Sequence, residues 1–172
     1  MTNDAIVGLP MGALTQAAER KLLYLEDLEA GQAFGSGTSR LTAGEIKAFA
    51  RQFDPQPFHL NDEAALGSFF RGLAASGWHT AALTMCLLVE GALPIAGGII
   101  GAGIDELRWP RSVRPGDALH IASEILEVRP SKSRPEQGLV KVRTTTLNQH
   151  GETVQSFIAS LIVPRRPRKE TP

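Results

Sequence analysis

The chain has 172 residues, of which 42% are hydrophobic, and its 18 lysine and arginine residues balance its 18 aspartate and glutamate residues. This length and apolar fraction predict one globular domain with a substantial core. Because the net charge is zero, no global field favours nucleic acid or an anionic membrane surface, and we expect a small-molecule partner.

The beginning of the chain predicts an arm, a short strand and a helix. Residues 1–21 mix Gly, Pro, Asn and Thr without periodicity, so we expect a flexible arm, and no signal peptide is predicted. The domain is expected to occupy residues 22–163, with a first strand that ends near Leu41. Thr42, followed three residues later by a glutamate, has the pattern of a capping box and predicts a helix that ends close to Asp54.

The segment after this helix reads D-P-Q-P-F-H at residues 54–59. Its two prolines lack backbone donors and bias the residues before them to extended conformations, so we expect its histidine on an ordered loop. Asn61 or Asp62 is expected to cap a short helix that extends through Phe69, and Gly72 is expected to end it.

A long apolar helix is predicted from Gly77 to Glu90. It has too few polar positions for an exposed face, so we expect it to be buried on all sides. Its apolar stretch is much shorter than the roughly 20 residues that span a bilayer, and no membrane association is expected. Cys86, the only cysteine, lies on this helix, which excludes an internal disulfide and predicts a buried, reduced thiol in a cytoplasmic protein.

Everything after the helix reads as β-structure, with strands predicted near 99–109, 117–129, 139–148 and 153–163. One buried helix and four long antiparallel strands, with one earlier strand, predict an α+β fold in which a curved sheet wraps around the helix. Residues 164–172 form a basic, proline-containing tail, which we expect to be disordered rather than to bind nucleic acid.

An aspartate and a histidine five positions later, directly before the long helix, resemble the D-x-N-P-x-H motif of MaoC-like dehydratases and R-specific enoyl-CoA hydratases of the hotdog superfamily. The resemblance covers most of residues 22–163. It implies a hotdog fold, a homodimer whose sheets join edge to edge, and reversible hydration of an enoyl-CoA. Coenzyme A thioester is then the substrate, with no metal or redox cofactor. Gln56 replaces the usual asparagine, and Ala82 stands near the position of a supporting serine.

The resemblance assigns catalysis to Asp54, His59 and the backbone amide of Gly77. An aspartate can polarise water, and a histidine can exchange a proton near neutral pH, which suits them to this reaction. The first amides of a helix lack internal partners and lie at the positive end of its dipole, so the Gly77 N–H suits a developing oxyanion. Which of the two side chains carries each proton stays open.

Other side chains near this motif are candidates for contact with the substrate. We expect the substrate-binding residues to be Phe58, Ser76, Trp78 and Arg108. Packing is the alternative for Phe58 and Trp78. Arg108, together with Arg111 and Arg114, either binds the phosphates of coenzyme A or lies at a solvated edge of the sheet. His79 is expected to be structural, and no close spacing of histidine or cysteine ligands predicts a metal site.

Two other functions stay open for this sequence. A hotdog thioesterase carries its acidic residue on the long helix, where the only acid is Glu90 at the far end. A non-catalytic subunit that binds acyl thioesters is the second alternative, because Ala82 lacks a supporting hydroxyl. Acyl length, branching, the thioester carrier and the physiological direction of the reaction are also open.

Overall fold

A computed structural model describes residues 21–167, so residues 1–20 of the predicted arm and residues 168–172 of the predicted tail lie outside the described residues. A 3-10 turn and a π turn are present at Leu25–Asp27 and Leu88–Ala92. The helices are α1 (Ala43–Phe53), α2 (Pro57–Leu60), α3 (Asp62–Leu66) and α4 (Gly77–Leu87). The strands are β1 (Ala33–Gly35), β2 (Ser39–Arg40), β3 (Ile100–Arg108), β4 (Ala118–Pro130), β5 (Gln137–Leu147) and β6 (Thr153–Pro164).

The strands form one antiparallel sheet in the order β1-β4-β5-β6-β3, and β2 also pairs with β4. Val142 of β5 lies opposite Ile125 of β4 and Ala159 of β6, which fixes the register of the three central strands. Alternate residues of these strands are buried, as period two requires for a sheet with one inner face. The four long predicted strands are therefore confirmed.

Helix α4 lies against the inner face of the sheet, where it contacts β4 and β6. Its buried residues include Thr80, Thr84 and Leu87. Leu87 belongs to the same hydrophobic cluster as Val140 and Val142 of β5. The core therefore lies between this helix and the sheet, as an α+β arrangement requires.

The opposite side of α4 is exposed in the single chain. The large apolar residues on it are Trp78 (61% exposed), Met85 (43%) and, in the following π turn, Val89 (58%). Cys86 is exposed as well. The predictions of a helix buried on all sides and of a buried thiol are therefore wrong for the single chain, because the sheet covers only one side of α4.

The short helices before α4 differ from the predicted ones. Pro57 is the first residue of α2, where a missing N–H costs nothing, so His59 lies in a helical turn and the prediction of a loop is wrong. Asn61 caps α3, because its Oδ1 accepts a hydrogen bond of 2.9 Å from the N–H three residues on. Helix α3 ends at Leu66, earlier than predicted, and Gly72 follows with a φ of +147°, which glycine readily adopts.

The beginning of the domain forms as a capped helix after two short strands. Thr42 accepts a hydrogen bond of 3.3 Å from the Glu45 N–H, and the Glu45 carboxylate accepts one of 2.7 Å from the Thr42 N–H. The predicted capping box is confirmed. The single strand predicted up to Leu41 is divided into β1 and β2, separated by residues 36–38.

The end of the described chain contacts the first turn of the domain. Arg165 donates to the Glu26 carboxylate at 2.8 Å, and Arg166 donates to Asp27 at 2.6 Å. Pro164 is the last residue of β6, one residue beyond the expected end of the domain at residue 163. Within residues 21–167, no helix has the length and apolar character needed to cross a bilayer.

Candidate active site

Asp54 stands where α1 ends, as the C-cap residue of that helix. Its N–H donates to the Ala50 carbonyl at 3.0 Å, which fixes the backbone that carries the carboxylate. Its Oδ1 accepts a hydrogen bond of 2.8 Å from Nε2 of Gln56. Gln56, which departs from the asparagine of the family motif, therefore holds the acid through its own side chain.

His59 is 4% exposed and is oriented by a backbone carbonyl. Its Nδ1 lies 2.7 Å from the Ala74 oxygen. Because a carbonyl oxygen can only accept, this contact places a hydrogen on Nδ1. The other ring nitrogen, Nε2, lies 3.5 Å from Oδ2 of Asp54. Nε2 is thus the atom of His59 that can gain or lose a proton beside the carboxylate.

Ser76 connects the acid to the start of α4. As the N-cap residue, its hydroxyl accepts a hydrogen bond of 3.1 Å from the Trp78 N–H. The same hydroxyl lies close enough to Asp54 to lower the pKa of its carboxyl group. Ser76 is 1% exposed, whereas Ala82 is exposed. The hydroxyl that supports Asp54 therefore comes from the residue before α4, a contact that the sequence analysis missed.

The environment of Asp54 keeps its carboxylate ionised. Burial raises the pKa of Asp54, but the nearby Ser76 hydroxyl, the hydrogen bond from Gln56 and the attraction of a protonated His59 together outweigh that effect. Its pKa consequently lies below the ordinary value of 3.8. A carboxylate that stays charged at neutral pH can accept a hydrogen bond from water and polarise it.

Gly77 opens α4 beside this pair. The N–H of Gly77 is the first amide of the helix. The Ser76 hydroxyl accepts from the Trp78 N–H, and within residues 21–167 no acceptor is present for the Gly77 N–H. A Cβ at this position would lie 2.7 Å from the indole of Trp109. The glycine is thus required by a tryptophan that the sequence analysis did not connect with it.

Arg114 holds the segment that connects α3 to α4. Its guanidinium donates to the carbonyls of Gly72 at 2.7 Å and of Leu73 at 3.1 Å, and also to the Phe70 carbonyl. This segment supplies the carbonyl that orients His59. Arg114 was one of the arginines considered for coenzyme A phosphates, but its donors are directed into the protein instead.

The remaining candidates for substrate contact are Phe58, Trp78 and Arg108. Phe58 packs edge-on to the His59 ring, with a centroid separation of 4.6 Å. Trp78 is exposed and lies edge-on to Trp109 at 5.4 Å. Arg108 is exposed at the end of β3, and within residues 21–167 no hydrogen bond or ion pair engages its guanidinium. Substrate contact by these residues stays a prediction.

The side chain of His79 packs on an aromatic ring of α1. Its ring stacks on Phe49 at a centroid distance of 4.4 Å, and burial lowers its pKa, so it is neutral at neutral pH. Within the described part of the chain, its Nδ1 has no hydrogen-bond partner. No three side chains suited to metal ligation gather anywhere in residues 21–167, and the expectation of a site without metal stays a prediction.

Glu90, on which the thioesterase alternative depends, lies far from the pair. It is an exposed residue of the π turn that follows α4. At 1.5 Å per residue, the helix places it about 20 Å from Gly77. An acid in this position does not face the start of α4, where Asp54 and His59 lie.

Comparison with known proteins identifies the class. A family model described as a MaoC like domain matches residues 28–148, which is most of the chain. The chain therefore belongs to the MaoC-like dehydratase family, and its sheet and helix form the hotdog fold of that family. The predicted resemblance and the predicted fold are both confirmed.

Individual relatives carry names that refer to dehydration and hydration. The MaoC-like dehydratase from Rhodospirillum rubrum is 57% identical, with a TM-score of 0.82 over 85% of this chain and 99% of that one. An R-hydratase from Pseudomonas aeruginosa is 28% identical, with a TM-score of 0.67 over 87% of this chain and 93% of that one. The mesaconyl-CoA hydratase of Cereibacter sphaeroides is 37% identical over 68 residues, which are 40% of this chain and 20% of that protein.

Proposed function

We propose that this chain is a hydratase that adds water to the double bond of a trans-2-enoyl-CoA, giving an R-3-hydroxyacyl-CoA, and that also catalyses the reverse dehydration. Membership of the MaoC-like family supports this class of reaction, as do relatives named as a dehydratase and as hydratases. Coenzyme A thioester is the substrate in this proposal, and no other cofactor takes part.

The observation that carries the proposal is the hydrogen bond from Nδ1 of His59 to the Ala74 carbonyl. It directs Nε2 towards Asp54, and the 3.5 Å between Nε2 and Oδ2 is too long for a good direct hydrogen bond. One water molecule can contact both atoms at this separation. This separation supports a role for the pair in binding a water and exchanging its proton.

In the proposed hydration, the oxygen of this water attacks C3 of the enoyl chain. One water O–H bond breaks, and its proton passes to the Asp54–His59 pair. The electrons of the C2=C3 double bond shift towards the thioester carbonyl, whose developing negative charge accepts a hydrogen bond from the Gly77 N–H. C2 then takes one proton from the pair, so that one water has been added in total.

A hydration assay tests the proposal directly. Loss of the enoyl absorbance of crotonyl-CoA and of longer enoyl-CoAs would be followed for wild type, Asp54→Asn and His59→Gln. Each substitution removes a proton-transfer group, so kcat/KM should fall by about 10²–10⁴. His150→Gln, in an exposed turn, is the matched control and should keep wild-type turnover.

Other outcomes of this assay would select a different function. Turnover that is unaffected by both substitutions would contradict the role of the pair. Release of free thiol from acyl-CoA that depends on Glu90 would identify a thioesterase. Tight acyl-CoA binding without turnover at any chain length would identify a non-catalytic subunit.

We also propose that the protein is a homodimer joined through β3, and its location in the cytoplasm stays a prediction. β3 forms one edge of the sheet, and it exposes Ile100 (52%) and Ile104 (57%). An exposed edge strand with apolar side chains favours pairing with another strand. Ile104→Lys should shift the sedimentation of the protein from dimer to monomer, and an unchanged dimer would exclude this surface.

A further inference from the structure

The start of α4 is covered by an aromatic ring from outside the family motif. An ideal Cβ on Gly77 would lie 2.7 Å and 2.8 Å from two ring atoms of Trp109. These distances are shorter than the contacts that real Cβ atoms make, so the indole occupies the volume that a side chain would need. The position of the ring and the position of the Gly77 backbone therefore determine each other.

A buried chain of hydrogen bonds orients this ring. Nε1 of Trp109 donates to Oε1 of Gln155 at 2.8 Å, and Nε2 of Gln155 donates to the Thr84 hydroxyl at 3.0 Å. Gln155 and Thr84 are both fully buried. The indole N–H can only donate, so the amide oxygen of Gln155 must face it, and the direction of the whole chain is fixed.

The chain ends on the helix whose first residue the ring covers. The Thr84 hydroxyl donates to the Thr80 carbonyl at 2.8 Å and lies 2.7 Å from the Thr146 hydroxyl of β5. With a hydrogen bond from Gln155 as well, all the hydrogen-bonding capacity of this hydroxyl is used. Helix α4 is thus connected to the sheet twice, at Thr84 through polar contacts and at Gly77 through the ring.

We propose that Trp109 is a positioning residue that, oriented by Gln155, fixes the first turn of α4 and holds the Gly77 amide at the place where the thioester oxygen binds. This inference rests on the proposed hydration reaction. It assigns no proton transfer to Trp109, which acts on the reaction through the backbone of Gly77. Because the amide acts on charge that develops in the transition state, small displacements should lower kcat more than they raise KM.

Kinetics of three variants test the positioning role. Trp109→Phe keeps an aromatic ring and loses the N–H, and Gln155→Met removes the group that orients the indole. Each should lower kcat by about tenfold, with KM changed by less than about twofold. Gln137→Met, a substitution of the same type at the opposite end of the sheet, should leave both constants unchanged.

A double-mutant comparison tests the contact itself. Gly77→Ala should lower kcat by about 10² because the new methyl group displaces the indole. In a Trp109→Leu background, the same substitution should cost about tenfold less, since the smaller side chain leaves space. If the two losses simply multiply, the ring does not act through Gly77 and the inference is wrong.

A readout without turnover separates this inference from the proposed reaction. With glycine-selective amide labelling, the Gly77 signal is the NMR peak that Gly77→Ala lacks. Trp109→Phe and Gln155→Met should each displace this peak, and Gln137→Met should not. A fixed peak in both variants overturns the inference even if the enzyme is active. A displaced peak in a protein that hydrates no enoyl-CoA supports the positioning and refutes the reaction.

Discussion

Two regions of this molecule are held together in different ways. The central strands β4, β5 and β6 pair through long antiparallel ladders, each with one register shift, in which most backbone bonds have neighbours on both sides. The segment from 54 to 76 has no such ladder. It contains only the short helices α2 and α3, and contacts from side chains to the backbone, chiefly those from Arg114 to carbonyls and from His59 to the Ala74 oxygen, hold the segment in place.

The difference determines where single substitutions should be costly. In a ladder, the loss of one side chain leaves the backbone bonds intact, and neighbouring pairs preserve the register. In the segment 54–76, one side chain satisfies several backbone groups, so its removal leaves part-buried acceptors without partners. The region that carries the proposed chemistry should therefore be the region where single substitutions lower both stability and activity.

Replacement of Arg114 should produce the largest effect on stability. Arg114→Met keeps much of the apolar stem and removes the donors to the carbonyls of Phe70, Gly72 and Leu73. We expect a loss of about 3 kcal/mol in the free energy of unfolding, because acceptors are left unsatisfied. Hydration activity should fall as well, since this segment orients His59. Urea unfolding and the crotonyl-CoA assay measure the two effects.

The matched control for this experiment is Arg111→Met. Arg111 pairs with Glu152 at 3.2 Å, and both side chains are substantially exposed. An ion pair of this kind contributes less than about 1 kcal/mol, so the control should remain close to wild type. Equal losses at the two positions would contradict the distinction between the site segment and the rest of the surface.

Ser76→Ala should have an intermediate effect. It removes the side-chain cap of α4 and the hydroxyl that lowers the pKa of Asp54, which should cost about 1–2 kcal/mol. The pKa of Asp54 is lowered in the folded protein, so this group stabilises the fold above its unfolded pKa, and the contribution is lost as pH falls through the folded pKa. Without the hydroxyl, we expect the pKa of Asp54 to move upward.

A carboxyl-carbon NMR titration of Asp54 measures this change. Wild type should titrate below pH 3.8, and Ser76→Ala should titrate at a higher pH than wild type. Ser76→Thr, which keeps a hydroxyl, should titrate near wild type. A pKa of Asp54 that is the same in all three proteins would show that the hydroxyl does not support the acid.

The two regions also differ in how much of them the sequence predicts. Alternation of apolar residues has the period of a strand, so the four long strands and their order along the chain can be predicted without the structure. The Asp54–His59 spacing identifies the family. The supports of this pair depend on contacts between residues that are distant in sequence, and no local pattern reports them. Arg114, for example, lies 42 residues from the Gly72 carbonyl that it binds.

The prediction that α4 is buried on all sides is correct for only one side of the helix, again because burial depends on residues distant in sequence. A helix that is apolar on all sides must be covered on all sides, but the sequence does not say by what. The sheet of the same chain covers the side with Thr84 and leaves Met85 and Cys86 exposed. The pattern thus predicted the composition of a helix face that the sheet of the same chain leaves uncovered.

Glu26→Gln should have a smaller effect than either site substitution. Hydrogen bonds from Arg165 and the Arg166 backbone lower the pKa of Glu26 from 4.5 to about 2. Its stabilising effect is therefore present above pH 4.5 and is lost as pH falls towards 2. Because the pair is exposed, we expect a contribution below about 1 kcal/mol at neutral pH.

Urea unfolding at neutral pH, with and without added salt, checks the prediction for Glu26. High salt screens exposed charges, so the difference between wild type and Glu26→Gln should shrink when salt is added. If the difference in the free energy of unfolding stays the same in high salt, the contribution of Glu26 is not that of an exposed ion pair, and the prediction is wrong.

The smallest effect is expected inside the sheet. The hydroxyls of Ser123 on β4 and Thr144 on β5 are buried and lie 3.0 Å apart. Replacing both by apolar groups of similar shape, as in Ser123→Ala with Thr144→Val, leaves no unpaired donor or acceptor, so the double variant should unfold within about 1 kcal/mol of wild type. Ser123→Ala alone strands the Thr144 hydroxyl and should be the less stable protein. If the double variant instead lost as much free energy of unfolding as Arg114→Met, neighbouring pairs in the sheet would not compensate for the change. The contrast between the two regions would then be wrong.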